Sequence, residues 1–420
     1  MKTLSARIAG GFLLCSLTGL GMTSLHTVQA GQAPSTPAGA QAPPAASQAA
    51  PPSATAKPNA AAVNKTKTGK SKSGKSKKLG LPAGTAMIWE DRGALTPSKV
   101  YWGAASLTPD PLSRLPAPPF SKFEPDVNGV ATSPKAKVTD SKKVKWTAKF
   151  GVENHADTIA PRLAWALGFG SVEGYYLQSG VFQDYNPNIH ATGFAKVLKD
   201  VIKPNGTFQD GARFKRHDKA DEPVKDAKGG DMIWDEAHNP GVPPEQLSGL
   251  LIFEVLVRNW DSQPKNCKVY HTTGPKGPEN WYIISDLGAS FADAPRHKFV
   301  LADYQKDPVV IKHVSKDTVE LNFVDVIHSE GKIHGHVPLA HAQWFRTQLA
   351  KLTEEEIQAA FDAGYATAGL NKAYASGDPA QIKAAREKEL SPQTRADIAA
   401  FVAVFRAKIA EYMQKIPPGS

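Results

Sequence analysis

Two stretches hold the residues best suited to chemistry: Arg258-Asn259-Trp260-Asp261-Ser262-Gln263-Pro264-Lys265-Asn266 and, downstream, Ile283-Ile284-Ser285-Asp286-Leu287-Gly288. Phosphoryl transfer asks for a carboxylate to orient an incoming hydroxyl. It also asks for oxygen ligands that keep Mg²⁺ on the phosphates, since Mg²⁺ favours carboxylate and carbonyl oxygen. Asp261, Asn266 and Asp286 supply such groups in that order. The same residues also suit a plainer role, with Asp261 and Asn266 capping a turn and Asp286-Leu287-Gly288 closing a strand.

The elements around them follow from patterning. Residues 245–258 carry Leu247, Leu250, Leu251, Phe253, Val255 and Leu256, which predicts a buried helix running into the Asp261 loop. Strands are expected over 267–272 and 281–285, joined by the turn Gly274-Pro275-Lys276-Gly277-Pro278. Upstream, Val138 through Phe150 reads as two short strands around Asp140-Ser141-Lys142. In the second, Val144, Trp146 and Ala148 alternate with Lys145, Thr147 and Lys149. A helix over 153–167 follows, with Ile159, Leu163, Ala166 and Leu167 on one face and Gly168 as its stop. From about residue 338 helices are expected at 339–351, 353–364, 379–387 and 392–415, the last two introduced by Asp378-Pro379 and Ser391-Pro392. Strands and one helix ahead of a mostly helical remainder make an α+β chain.

Lys149 ends a strand just before a helix that carries Glu153 and, one turn on, Asp157. Either acid can pair with the lysine and aim it at nucleotide phosphates. Alone, Lys149 reads as a solvated strand lysine. The segment Asn128-Gly129-Val130-Ala131-Thr132-Ser133-Pro134-Lys135 offers a phosphate-covering loop, although it lacks the pattern G-x-G-x-x-G.

Asn259-Trp260-Asp261 to Asn266, with Ser285-Asp286-Leu287-Gly288, resembles the catalytic and metal loops of atypical protein-kinase-like proteins. The relatives include phosphatidylinositol kinases and bacterial toxin-type serine kinases. Asn259-x-Asp261-x-x-x-Lys265-Asn266 is close to the toxin-kinase pattern, with Pro264 before the lysine and Gln263 where a histidine is usual. Gly129 to Lys135 is similar to the nucleotide loop of those kinases. His155-Ala156-Asp157 to Arg162-Leu163-Ala164-Trp165-Ala166-Leu167-Gly168 resembles a motif of uncharacterised bacterial proteins. Over roughly residues 125–370 the resemblance implies a two-lobed, protein-kinase-like domain with a small sheet-bearing N-lobe and a large helical C-lobe. It implies ATP or another nucleotide with Mg²⁺. Lys149, Glu153, Asp157, Gly129, Ser133 and Lys135 would serve the nucleotide, Asp261 would be the base, and Asn266 and Asp286 would bind the metal. The shorter acid Asp157 and the glycine-poor loop depart from the pattern and bear on catalysis more than on fold. A non-catalytic binding module on the same scaffold is the alternative.

A rival constellation is His328-Ser329-Glu330-Gly331-Lys332-Ile333-His334-Gly335-His336. It offers imidazoles and a carboxylate to a transition metal, but its spacing matches no closed zinc site, and a polar loop explains it as well. Trp165, Tyr175 and Tyr176 suit either carbohydrate stacking or a core. No nucleophile elbow, Walker loop or Cys-x-x-Cys pair is present.

Of 50 basic residues, ten fall within residues 1–80, where no Asp or Glu occurs; the remaining 340 residues carry 40 of each sign. The excess charge thus belongs to the N-terminal segment, and no nucleic-acid partner is expected for the folded part. Lys2 and Arg7, an apolar run from Ile8 to Leu20, and Val28-Gln29-Ala30 form a signal peptide over residues 1–30, cleaved near Ala30 for periplasmic or secreted delivery. The apolar run is too short to span a bilayer, no later segment is a membrane span, and Leu13-Leu14 before Cys15 does not suit lipoprotein processing. Residues 31–80 read as a disordered tether, first rich in Ala and Pro and then in Lys. Its 64–78 stretch suits an anionic surface or polymer, or a solubilising spacer. Residues 81–420 form the folded domain, with the N-lobe expected over about 81–180 and the C-lobe over about 181–420. After cleavage Cys267 is the sole thiol, so no internal disulfide supports the fold, and a small core residue is expected there.

Overall fold

A computed structural model describes residues 81–126, 133–188, 196–217, 222–235, 239–292, 299–323 and 335–419. All lie within one compact unit, Gly74–Ser420. The leader and tether expected over residues 1–80 fall outside the described residues, as do Gly129 and most of the histidine loop, His328 and His334 included.

The fold is α+β. Its first part runs β1 (Thr85–Met87), α1 (Pro97–Trp102), β2 (Ser121–Pro125), β3 (Lys135–Thr139), β4 (Lys145–Phe150), α2 (Glu153–Ala166) and β5 (Tyr175–Leu177). Then come β6 (Gly180–Val181), α3 (Leu198–Val201), β7 (Thr207–Phe208), β8 (Ala212–Arg216) and α4 (Pro244–Val257). The hairpin β9 (Cys267–Gly274) and β10 (Gly277–Ile284) precedes α5 (Leu301–Lys306), β11 (Ile311–Val314), β12 (Thr318–Leu321) and β13 (His336–Pro338). The chain ends in α6 (Leu339–Leu349), α7 (Glu354–Ala363), α8 (Ala368–Ser376), α9 (Pro379–Glu389) and α10 (Pro392–Lys415).

A five-stranded antiparallel sheet in the order β2-β3-β4-β8-β5 carries Lys149. Alternation along β4 buries Trp146 and Ala148 in the core and turns Lys149 to the opposite face. That face is not solvent: Lys149 is only 2% exposed, so the solvated-lysine reading does not hold. Because β8 pairs with both β4 and β5, the sheet draws a strand from beyond residue 180. A boundary there would cut through it.

A second sheet, β1-β10-β9, carries the hairpin, with β1 parallel to β10. Cys267 is fully buried in it. The nearly all-apolar α4 is buried along most of its length and stops where Arg258 adopts a left-handed backbone, φ 57°. A third sheet, β11-β12-β13, interrupts the helical part, so strands return late in a region expected to hold few. Side-chain caps set several helix starts: Asp378 accepts from Ala380 N, Ser391 from Thr394 N, and Thr353 forms a capping box with Glu356. No helix among the described residues is long and apolar enough to cross a membrane.

Candidate functional site

Lys149 stands at the end of β4, and α2 begins four residues later. This brings Glu153 and Asp157 beneath its amine. Lys149 Nζ forms ion pairs with Glu153 and with Asp157, the latter at 2.6 Å, and lies 3.6 Å from Asp286 Oδ1. The choice between Glu153 and Asp157 therefore resolves as both. Glu153 and Asp157 are buried, at 4% and 1% exposure. Asp286 is open on one side, its side chain 37% exposed.

The His155…Trp165 motif explains why α2 sits where it does. His155 Nδ1 lies 2.7 Å from the Gly364 carbonyl and stacks on Tyr365. Arg162 donates to the carbonyls of Tyr101 at 2.8 Å and Gly174 at 2.9 Å. Trp165, Tyr175 and Tyr176 are buried, so the aromatic run is core rather than an exposed stacking surface.

The Asp261 loop hangs from α4. Buried Glu254 accepts from Asn259 Nδ2 at 3.1 Å and from the Ser262 hydroxyl, and Asp261 N donates to Asn259 Oδ1 at 3.3 Å. Asn259 is thus a brace for the loop. The Asn266 side-chain amide nitrogen donates to the Asp261 carbonyl at 2.8 Å, so its other polar atom is the carboxamide oxygen, an acceptor. Ser285 donates to the Asn266 carbonyl through its N–H at 2.7 Å and its hydroxyl at 2.9 Å. These bonds set Asn266 beside Asp286. Gly288 completes the arrangement by being small: a Cβ there would meet Asp157 Cγ and Lys149 Nζ at 3.0 Å.

Lys149, Lys135, Asn266 and Asp286 line one cavity of about 600 Å³. Asp261 does not line it; it lies behind Asn266, half-buried and hydrogen-bonded by Gln263. Ser133 is buried outside the lining. Burial raises the Asp261 carboxyl above the usual carboxylate range, against the pull of the Gln263 and Lys265 side chains. Desolvation opposes charge on Asp286 too, but Lys149, Lys135, Arg213 and the Gly288 N–H outweigh it and hold that carboxyl well below its ordinary value. Burial, reinforced by Lys149, lowers Lys135.

The cavity also holds residues the spacing did not single out: Arg213 and Lys215 on β8, and Lys268 on β9. Arg213 is the register partner of Lys149, 64 positions away in sequence. The available signal was the alternation Arg213-Phe214-Lys215, with Phe214 fully buried between the two cations.

No group of three or more His, Cys, Asp or Glu among the described residues is placed to hold a metal ion. His336 is exposed on β13. Asn266 and Asp286 nevertheless fit magnesium, which commonly takes one or two protein oxygens and completes its shell with phosphate and water.

No family model matches this chain, and no curated protein matches it. Among solved structures, the crystal structure of a Helicobacter pylori proinflammatory kinase, CtkA, is similar over 70% of this chain and 99% of that chain, at 9% identity and a TM-score of 0.34. Those values are too low to carry a functional assignment.

Proposed function

We propose that the protein is an exported, protein-kinase-like phosphotransferase that takes a magnesium-bound nucleotide, ATP in the first instance, between a sheet-bearing lobe and a helical lobe. The observation that carries this reading is the meeting of Lys149, Asn266 and Asp286 at one cavity, with Asp261 tied behind Asn266. Lys149, oriented by Glu153 and Asp157, would pair with phosphate oxygens, and Lys135 would add charge from β3. The Asn266 carboxamide oxygen and the Asp286 carboxylate would hold magnesium, which when bound neutralises charge on the phosphates.

Asp261, with its raised proton affinity, would accept the proton of an incoming hydroxyl as that oxygen bonds to the terminal phosphorus. The bond from that phosphorus to the bridging oxygen breaks, and the diphosphate leaves with the electron pair. The acceptor class is a hydroxyl of a protein, lipid or glycan. Residues 1–30 would be removed near Ala30 in delivery to the periplasm or beyond. Residues 31–80 would then act as a tether, with 64–78 resting on an anionic surface or polymer.

The test uses terminally labelled ATP with the wild-type chain and Asp261→Asn. The expected result is label release or transfer that falls at least about 100-fold in the variant while Mg-ATP affinity is kept. Equal turnover in both proteins rejects Asp261 as the base. One observation favours a non-catalytic binding module on the same scaffold: Lys149 already meets three carboxylates, which reduces the charge it can offer a phosphate. Binding of Mg-ATP without any turnover would select that reading.

A further inference from the structure

Around the cavity, the carboxylates gather at Lys149 and leave two neighbouring cations only loosely paired. Arg213 and Lys215 alternate along β8 and so share a face, and both line the cavity beside Asp286. Arg213 is 7% exposed, yet among the described residues its Nε has no hydrogen-bond acceptor, and its NH2 group pairs with Asp157 Oδ1 only at 3.7 Å, beyond hydrogen-bond range. Lys149 holds Asp157 through the other oxygen, Oδ2, at 2.6 Å. Lys215 Nζ has the Tyr270 hydroxyl at 3.4 Å and the Tyr270 ring at 6.0 Å, with no carboxylate within 4 Å among the described residues. Lys268 serves as the contrast, since Asp231 accepts from it at 2.6 Å. A desolvated cation whose pairing is incomplete carries a cost that a bound anion offsets.

The rest of the lining points the same way. Six cationic side chains face three carboxylates, and among the described lining residues only Pro125 and Ala136 are apolar. A nucleobase is ordinarily held between apolar or aromatic faces; a phosphate chain is held by forked and point cations.

We propose that Arg213 and Lys215 form a second anion subsite next to Lys149, which takes a further phosphate of a condensed phosphate chain, so that the site reads the chain of its donor rather than a base. This rests on the proposed phosphate-binding role of the cavity and narrows its substrate class to compounds bearing a di- or triphosphate chain, inorganic or nucleoside-borne.

Calorimetric titration of the full mature chain with Mg-ATP, magnesium tripolyphosphate and adenosine tests it. The expected result is tripolyphosphate binding within about threefold of ATP and no binding of adenosine. Arg213→Gln and Lys215→Gln should each weaken both phosphate ligands about tenfold or more. Tripolyphosphate more than about 30-fold weaker than ATP, or saturable adenosine binding, overturns the subsite while leaving the phosphotransfer reading intact. So does unchanged affinity in both variants. Failure of both phosphate ligands to bind overturns the two readings together. The wild-type comparison of ligands holds even if Arg213→Gln does not fold, because it needs no variant.

Discussion

In the helical body, Asp362 is wholly buried, and each of its oxygens is engaged. Gln358 donates to Oδ1 at 3.0 Å, the Tyr374 hydroxyl donates to Oδ2 at 2.7 Å, and Arg386 pairs with Oδ2 at 2.9 Å. Around the cavity, Lys149, Glu153, Asp157 and Asp286 make a comparable knot of charge, but its edges stay open. Among the described residues, Asp286 is partly exposed, Arg213 Nε has no hydrogen-bond acceptor, and Lys215 has no carboxylate within 4 Å. Both clusters carry the cost of burying ions. The first is met by close partners on both oxygens; the second borders a space of about 600 Å³. Satisfaction of the buried charges, rather than their number, separates a structural staple from a binding site.

The largest expected effect lies on the closed side. Asp362→Ala strips Tyr374 and Arg386 of their shared acceptor and should cost about 3 kcal/mol of unfolding free energy in urea titration, with Mg-ATP affinity of the folded fraction unchanged. A loss of affinity there would break the distinction. On the open side the pattern should invert. Asp286→Asn should weaken Mg-ATP about 100-fold, roughly 2.7 kcal/mol, while unfolding free energy shifts by less than about 1 kcal/mol.

Gly288→Ala sharpens the comparison at the point where the two requirements meet. Its methyl group would press on Asp157 and Lys149, and overpacking of this kind should cost about 1–3 kcal/mol. Affinity should fall several-fold as Lys149 shifts, read by the same titrations.

How far these clusters were legible in the sequence differs by element. Asp378-Pro379 and Ser391-Pro392 announce helices that begin at those prolines, because a capping side chain and a fixed φ act locally. The hairpin reads equally well from its Gly/Pro turn. Lys149 with Glu153 and Asp157 is readable because the partners lie within two helical turns. Arg213 is not, since its place beside Lys149 depends on β8 inserting between β4 and β5, a pairing that no local pattern encodes. Helix α8 and the β11-β12-β13 sheet escaped for a related reason: they are short, and tertiary packing rather than strong periodicity defines them.

The smallest expected effect is a pH dependence. Desolvation, with Arg213 and Lys268 adding to it and Asp286 and Asp231 opposing, brings the Lys215 amine down to about 8. Between about pH 8 and its ordinary value the unfolded chain holds a proton that the folded one has lost, so this group's contribution to stability rises with pH there. Anion affinity runs the other way. Tripolyphosphate binding should weaken as pH rises through about 8, by at most about tenfold per unit, and Lys215→Gln should flatten that slope. An identical slope in the variant would remove Lys215 from the site.

The most direct test of the central claim follows Mn²⁺, as a paramagnetic stand-in for magnesium, by electron paramagnetic resonance in the presence of ATP. The wild-type chain should bind one Mn²⁺ when ATP is present and far less without it, and Asp286→Asn should lose that ATP-dependent signal. Equal ATP-dependent binding in both proteins, or none in the wild type, would contradict the account.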